Sequence, residues 1–227
     1  MKKGDESLST HHDTAIPPEE IVRYTYSERI CHWLSGLSYV YCLISGLAFF
    51  SPYLYWLAAL LGGGPTARFW HPWAGLVFLV AIIWMHVIWK RDMSIDDADR
   101  EWMKSLKYYA TNRDDLMPPQ GKFNAGQKQF YWIMFYGAIL LLISGLVMWF
   151  PELVPRGANW VREVAILIHV CAALVTIGAF IIHVYMGVFM VPGGFRGMVS
   201  GRVSRRWARA HHPLWYAKVT DDRSVRR

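Results

Sequence analysis

The sequence predicts an all-α membrane protein in which four transmembrane helices form one bundle. The chain of 227 residues is 54% hydrophobic and 15% aromatic, yet it carries a net charge of +7. Asp, Glu, Lys and Arg are absent from four stretches, each as long as the ~20 apolar residues that cross a bilayer core. The stretches are 30–67, 69–89, 129–151 and 164–194. A water-soluble protein of this size with four such helices would have too little polar surface.

The elements follow from these stretches in order. The first is longer than one span, so its helix is expected to end near Pro52, with residues 53–61 lying at the membrane interface. A short amphipathic helix at about 101–109 precedes the third span. The predicted spans are 30–51, 70–90, 129–150 and 164–191. The predicted regions are a cytoplasmic N-terminal arm (1–29), a transmembrane domain (30–191) with a cytoplasmic loop (91–128), and a basic cytoplasmic tail (192–227).

The distribution of Lys and Arg predicts the orientation. Four lie in the arm, eight in residues 90–128 and nine in the tail, whereas the two other connections hold three. Because cytoplasmic segments are enriched in Lys and Arg, both termini and the middle loop are expected in the cytoplasm. The first twenty residues lack the apolar core of a signal peptide. Acidic residues share the cytoplasmic segments, so the positive charge does not indicate nucleic-acid binding.

Four histidines lie inside the apolar stretches or at their edges: His32, His71, His169 and His183. His169 and His183 are fourteen residues apart, close to four helical turns, so both leave one face of the fourth span, separated by ~21 Å. Ionisable side chains in a membrane are costly and are functional candidates by default. Imidazole is a common axial ligand of haem iron, so we interpret the bundle as holding two interior haem sites.

The predicted topology sorts these histidines by depth. His71 and His169 lie toward the periplasm, and His32 and His183 lie toward the cytoplasm, which gives two pairs on a shared fourth helix. His86 reaches the same cytoplasmic depth and rivals His32 as the second ligand there; spacing alone does not choose between them. The alternative for each histidine is a polar residue that bonds a neighbouring helix.

Cysteine and histidine patterns outside these positions exclude other metal sites. The three cysteines are isolated, and no C-x-x-C pair occurs, so iron–sulfur and zinc sites are not expected. The sequence also lacks C-x-x-C-H, so covalent haem attachment is excluded. His11 and His12 in the arm are expected to be solvated.

Six segments carry a resemblance to a known family. They are "ERICHW" at 28–33, "WHPWAG" at 70–75, "FNAGQK" at 123–128, "ILIH" at 166–169, "IIHVYMGVF" at 181–189 and "VSRRWARAHHPLWY" at 203–216. Together they resemble the gamma subunit of membrane-bound, quinone-reducing formate dehydrogenase, a di-haem cytochrome b. The resemblance spans roughly residues 21–218. The tail and "NAGQK" segments are specific, whereas hydrogenase and thiosulfate reductase cytochromes b share the bare histidines.

The resemblance implies the cofactors and their ligands. Two b-type haems would be held by His32 with His183 and by His71 with His169. His86 departs from the family pattern and would be an extra polar residue.

The start of the third span is the candidate quinone site. From the residues alone, Asn124 is the N-cap of that helix, although its amide and the free N–H groups of a helix start could also bind a quinone carbonyl. The resemblance implies that Asn124 and Gly126, together with Gln127, contact the quinone, which would be menaquinone or ubiquinone.

The expected function is electron transfer from a periplasmic formate dehydrogenase module to quinone near the cytoplasmic side of a bacterial inner membrane. The resemblance implies as partners an iron–sulfur (beta) subunit and a molybdenum- or tungsten-containing catalytic (alpha) subunit, which would oxidise the formate. One alternative is the cytochrome b subunit of a nickel–iron hydrogenase or thiosulfate reductase complex. Another is a haem-free membrane anchor or transporter, but the predicted spans contain no Asp or Glu to carry transport.

Overall fold

The computed structural model describes residues 19–111, 113 and 116–224. In chain order its elements are β1 (Glu20–Val22), α1 (Tyr26–Phe50), a 3₁₀ helix (Pro52–Leu61), α2 (Gly64–Trp89), α3 (Asp97–Lys104), α4 (Leu106–Ala110), α5 (Ala125–Trp149), a 3₁₀ turn (Pro151–Leu153), α6 (Asn159–Tyr185), a π-helical turn (Met186–Met190), α7 (Gly194–Ser200), β2 (Arg202–Ser204), α8 (Arg205–His211) and α9 (Pro213–Ser224). Residues 1–18, with His11 and His12, lie outside the described part.

Four helices, α1, α2, α5 and α6 with its π-helical turn, are long and apolar enough to cross a membrane, with mean hydropathy of 1.5 to 2.6 in their most apolar windows. This confirms the predicted all-α membrane bundle. The segments before α1 and after α6 and the α2–α5 connection share one end of the bundle, which we call the terminal end. The connections α1–α2 and α5–α6 lie at the opposite end.

The spans begin earlier than their uncharged stretches. Helix α1 begins at Tyr26 because Thr25 and Glu28 form a capping box, in which the Glu28 carboxylate accepts from the Thr25 N–H at 2.7 Å. Helix α6 begins at Asn159 and so includes Arg162 and Glu163 in its first turns. Charged residues at a helix start extend beyond the hydrocarbon, so a charge-based boundary underestimates the helix.

The bundle is held by pairwise helix packing. Helix α1 packs along α2, α5 packs along α6, and α2 contacts α5. At the centre the ring of Tyr39 lies 5.2 Å from that of Phe78 and 5.1 Å from that of Phe180. A Cβ at Gly137 would meet Thr176 Cγ2 at 2.4 Å, so the glycine permits the close approach of α5 and α6.

Two features at the terminal end were not predicted. Strands β1 and β2 form an antiparallel pair with Ile21 opposite Val203, which joins the N-terminal segment to the tail. The single amphipathic helix expected at about 101–109 is instead two helices, α3 and α4, separated at Ser105. Helix α3 is fixed to α5 by a 2.6 Å ion pair between the buried Asp99 and Lys128.

Candidate functional site

The four candidate histidines form two pairs in the bundle interior. At the opposite end the ring centroids of His71 (α2) and His169 (α6) lie 6.3 Å apart. At the terminal end those of His32 (α1) and His183 (α6) lie 6.1 Å apart. A metal ion bound through ~2.0–2.1 Å bonds to one nitrogen of each ring separates the two centroids by ~6 Å. The spacing of each pair therefore fits one metal ion between its two rings.

A serine on a neighbouring helix favours one tautomer of His71. The buried Ser45 Oγ donates its hydrogen to the Tyr41 carbonyl at 2.7 Å and lies 2.7 Å from His71 Nδ1. A hydroxyl has one hydrogen to donate, so with that hydrogen on the Tyr41 carbonyl Oγ accepts from His71 Nδ1–H. The Nε2 of His71 therefore keeps its lone pair, which is the form of imidazole that binds a metal.

The same arrangement recurs at His169. Ser144 Oγ donates to the Leu140 carbonyl at 2.6 Å and lies 3.0 Å from His169 Nδ1. By the same reasoning it accepts from Nδ1–H, and Nε2 is free. The opposite-end pair is thus prepared by two serines on α1 and α5, one for each ring.

The terminal-end pair is held by aromatic packing. The ring of His183 stacks on Phe130 of α5, with centroids 4.2 Å apart and an interplanar angle of 3°. The ring of His32 meets the edge of Trp33 at 5.4 Å. His32 Nδ1 is buried and has no hydrogen-bond partner among the residues that the structure describes. The two pairs therefore differ in the groups behind their rings.

Glycines leave room beside both pairs. A Cβ added at Gly36, Gly75 or Gly187, each one turn beyond a candidate histidine, would meet nothing within 4 Å. A Cβ at Gly145 would lie 3.4 Å from His169 Cε1, so a larger residue there would crowd that ring. This space suits a bulky, flat group such as a macrocycle.

The donor set also fits haem. Within the described part of the chain, no three His, Cys, Asp or Glu side chains cluster to hold a metal ion. Each histidine pair supplies two nitrogens to an ion that lies between its rings. Haem iron carries the nitrogens of its own porphyrin, so the two imidazoles of one pair would complete its ligands.

His86 has a different environment. Its Nδ1 hydrogen bonds to the Tyr131 hydroxyl of α5. Its ring stacks on Phe135 at 4.5 Å and meets Trp132 at 6.0 Å. The ring that faces His183 across the bundle is that of His32.

Asn124, Gly126 and Gln127 lie together at the first turn of α5. Asn124 is the N-cap: its Oδ1 accepts from the Gln127 N–H at 2.9 Å, and Gln127 Oε1 accepts from the Asn124 N–H at 3.0 Å. The cap leaves Asn124 Nδ2 with no hydrogen-bond partner in the described ranges. A Cβ at Gly126 would lie 3.0 Å from the Trp102 ring, so glycine allows α3 to approach this turn.

Sequence reasoning missed the buried charges around this turn. Glu28 is almost fully buried, accepts from Trp89 Nε1 at 2.5 Å, and pairs with the ammonium of Lys122. The "TYSE" capping-box pattern was the signal that could have identified Glu28 as a helix-start residue. Near Lys128, partial burial acts to raise the pKa of Asp96, but the Asp99 backbone N–H and the Lys128 charge lower it overall.

The sequence profile described as prokaryotic cytochrome b561 matches residues 23–201 of the chain. The chain is 34% identical over 199 residues to the nitrate-inducible formate dehydrogenase cytochrome b556(Fdn) subunit of Escherichia coli K12, covering 88% of this chain and 91% of that protein. It is 33% identical to the formate dehydrogenase cytochrome b556(fdo) subunit of the same strain, with 88% and 94% covered. It is 32% identical to the formate dehydrogenase cytochrome b556 subunit of Haemophilus influenzae, with 86% and 82% covered.

Proposed function

The chain belongs to the prokaryotic cytochrome b561 family, and on that basis we propose that it is the di-haem, quinone-reducing subunit of a formate dehydrogenase complex. It is a multi-pass membrane cytochrome b, and family membership implies b-type haem. Its relatives are cytochrome b subunits of formate dehydrogenase over most of its length. They favour this assignment over a hydrogenase or thiosulfate reductase cytochrome and over a haem-free anchor or transporter.

The observation that carries the di-haem proposal is the presence of two histidine pairs on one shared helix. His71 and His169 would hold one haem, and His32 and His183 would hold the other. Bound haem supplies a one-electron Fe³⁺/Fe²⁺ couple whose potential depends on its ligands and their surroundings. Helix α6 gives one histidine to each pair, so a single helix fixes both sites relative to each other.

The orientation rests on the distribution of basic residues. Most Lys and Arg lie in segments at the terminal end, which we place in the cytoplasm of a bacterial inner membrane. His71 and His169 then lie near the periplasm, where they would face the electron-donating partners. Moving an electron inward against the membrane potential costs ~2.3 kcal/mol per 100 mV, which the redox drop from formate to quinone would supply.

The quinone site would be the first turn of α5. The free amide of Asn124 offers two N–H donors to a quinone carbonyl. Gly126 and Gln127 lie on the same turn, and its position at the cytoplasmic end gives access to water as the proton source. The quinone would be menaquinone or ubiquinone.

The partners would be an iron–sulfur (beta) subunit and a catalytic (alpha) subunit with molybdenum or tungsten. Formate would be oxidised there and not on this chain.

The test is to purify the complex and measure haem per chain as the pyridine haemochrome, followed by spectra after formate and then quinone. We expect two b-type haems that formate reduces and quinone reoxidises. A ratio near one haem per chain, or no reduced b-type absorption, would overturn the proposal. A reporter fused after Arg227 should be active in the cytoplasm; activity only in the periplasm would reverse the orientation.

A further inference from the structure

Three successive backbone carbonyls just before Asn124 accept hydrogen bonds from two distant parts of the chain. The bonds are Leu214 N–H to Gln120 O at 3.1 Å, His212 Nδ1–H to Gly121 O at 2.7 Å, and Arg23 Nη2–H to Lys122 O at 2.8 Å. Arg23 directly follows β1, and the other two donors lie at the junction of α8 and α9. The segment 120–122 is therefore held by side chains and backbone that are remote from it in sequence.

His212 and Arg23 also bind each other. Since His212 Nδ1 donates to the Gly121 carbonyl, Nε2 keeps its lone pair and accepts from Arg23 Nη2 at 2.9 Å. Both side chains are almost fully buried, at 3% and 4% exposure. Burial, followed by the nearby Arg23 charge, lowers the pKa of His212 well below its ordinary value. The ring is therefore neutral, and one tautomer satisfies both bonds.

The guanidinium of Arg23 has no carboxylate beside it among the residues described. It lies over the rings of Tyr24, Trp207 and Trp215 at 5.1, 4.9 and 5.1 Å. A planar guanidinium can stack on aromatic rings while donating in its own plane, which an ammonium cannot do. Its Nη2 uses both hydrogens, one for the Lys122 carbonyl and one for His212.

The same segment is anchored on its other side to α1. The Lys122 ammonium pairs with the buried Glu28, which lies one helical turn before His32. The backbone that leads into Asn124 is thus tied to the helix that carries a candidate haem ligand. A shift in this segment would move the start of α5 relative to the His32–His183 pair.

We propose that Arg23 and His212 are positioning residues for the quinone site: they clamp residues 120–122 and thereby place Asn124 relative to the His32–His183 pair. This inference rests on the proposed function, since it assumes that quinone binds at the first turn of α5. It gives a role to the "AHHP" tail motif, which the haem sites leave unexplained.

The test compares His212→Ala with His212→Gln in the intact complex. The amide of glutamine has a donor nitrogen and an acceptor oxygen, so it can donate to the Gly121 carbonyl and accept from Arg23. We expect His212→Ala to raise the KM for quinone about tenfold, the effect of one buried hydrogen bond, and His212→Gln to restore most of it. Haem content and haem reduction by formate should stay at the unaltered level in both.

Tyr216→Phe is the matched control, because it removes a 3.3 Å bond to Arg209 on the exposed surface of the same tail and should leave the KM unchanged. If His212→Ala lowers thermal stability but leaves the quinone KM unchanged, the residue is structural and the inference is overturned. If the His212→Ala complex does not assemble, Arg23→Lys tests the inference instead. A raised KM for quinone in that variant supports the clamp on residues 120–122, and an unchanged KM refutes it. Failure of the proposed function is separate, because the unaltered complex would then transfer no electrons from formate to quinone.

Discussion

The ring centroids of His71 and His169 lie 6.3 Å apart, and a serine of an adjacent helix binds the Nδ1 of each ring. Both serines donate their only hydrogen to a carbonyl of their own helix, so both accept from the imidazole. The Nε2 atoms of both rings therefore keep their lone pairs in the bundle interior, in the protein without any bound group. An N–H that donates to an acceptor makes the imidazole a more basic ligand.

Replacing either member of this pair should remove one haem and spare the other. His71→Ala or His169→Ala leaves the His32–His183 pair intact, so we expect haem per chain to fall from two to one. Formate should then no longer reduce the remaining haem, because the lost pair is the one that the proposed orientation places nearest the electron donors. Haemochrome analysis and formate-reduced spectra measure both effects. Two haems retained in either variant would show that this pair does not ligate one.

The two serines give a finer test of the same site. Ser45→Ala and Ser144→Ala leave a buried imidazole N–H without an acceptor and make the ligand less basic. We expect ~10–100-fold weaker haem retention and a higher midpoint potential for that haem alone. A redox titration and haem loss to a competing apoprotein measure these changes.

Ser35→Ala is the matched control for the serines. Ser35 is a buried serine that donates to a carbonyl of its own helix, that of His32 at 2.9 Å, without binding an imidazole. Its loss should leave both potentials unchanged. Equal shifts of the midpoint potential in Ser35→Ala, Ser45→Ala and Ser144→Ala would mean that the serines act through general packing.

The end of the bundle at which each histidine lies, and the spacing of His169 and His183 along α6, were predictable because they depend on helical geometry alone. Fourteen residues on one helix fix the separation of His169 and His183, and the alternating direction of the spans sorts the others. The serines behind His71 and His169 were not predictable, since a buried serine that packs helices has the same sequence pattern as one that contacts a histidine ring. Their role depends on the rotation of α1 and α5 about their axes, which sequence does not give.

The contacts at the terminal end between residues far apart in sequence also could not be predicted. The "AHHP" motif was visible, but the partner of His212 is Gly121, 91 residues away. Likewise the strand of three residues at Glu20–Val22 is too short for a periodic signal and forms only because Arg202–Ser204 lies beside it. The choice between His86 and His32 required knowing which ring faces His183 across the bundle.

His86→Phe should leave both haems in place. Phenylalanine keeps the stacking on Phe135 and loses only the hydrogen bond to Tyr131, worth ~0.6 kcal/mol on average between membrane helices. Tyr131→Phe removes the same bond from the other side and should give the same small loss of thermal stability. A loss of haem in His86→Phe with both haems retained in His32→Ala would reverse the assignment of the terminal-end pair.

Acid pH should weaken the tail through His212. Its pKa in the folded protein is lowered by burial and by Arg23 of the N-terminal segment, with a smaller effect from the adjacent His211 at the end of α8. The stability it contributes is therefore complete above the ordinary histidine pKa of ~6.5 and is lost as pH falls toward the folded value, because the unfolded chain binds the proton first. Thermal unfolding measured against pH should show a steeper acid loss for the unaltered protein than for His212→Gln. Parallel curves would exclude His212 as the titrating group.

Asn124 offers a test that separates capping from quinone binding. Serine is as good an N-cap as asparagine but has no amide, so Asn124→Ser keeps the acceptor for the Gln127 N–H and removes the two donors of Nδ2. Asn124→Ala removes the capping acceptor as well as the amide donors. If the amide binds quinone, both variants should raise the KM for quinone about tenfold, while formate still reduces both haems.

If Asn124 acts only as a cap, the two variants should differ. Asn124→Ala would then cost ~1 kcal/mol of helix stability, whereas Asn124→Ser would match the unaltered protein in both thermal stability and quinone kinetics. Steady-state quinone reduction, with haem reduction by formate in the same preparation, distinguishes these cases. Normal quinone kinetics in Asn124→Ser would remove the amide from the quinone site, because every other contact of this turn is preserved in that variant.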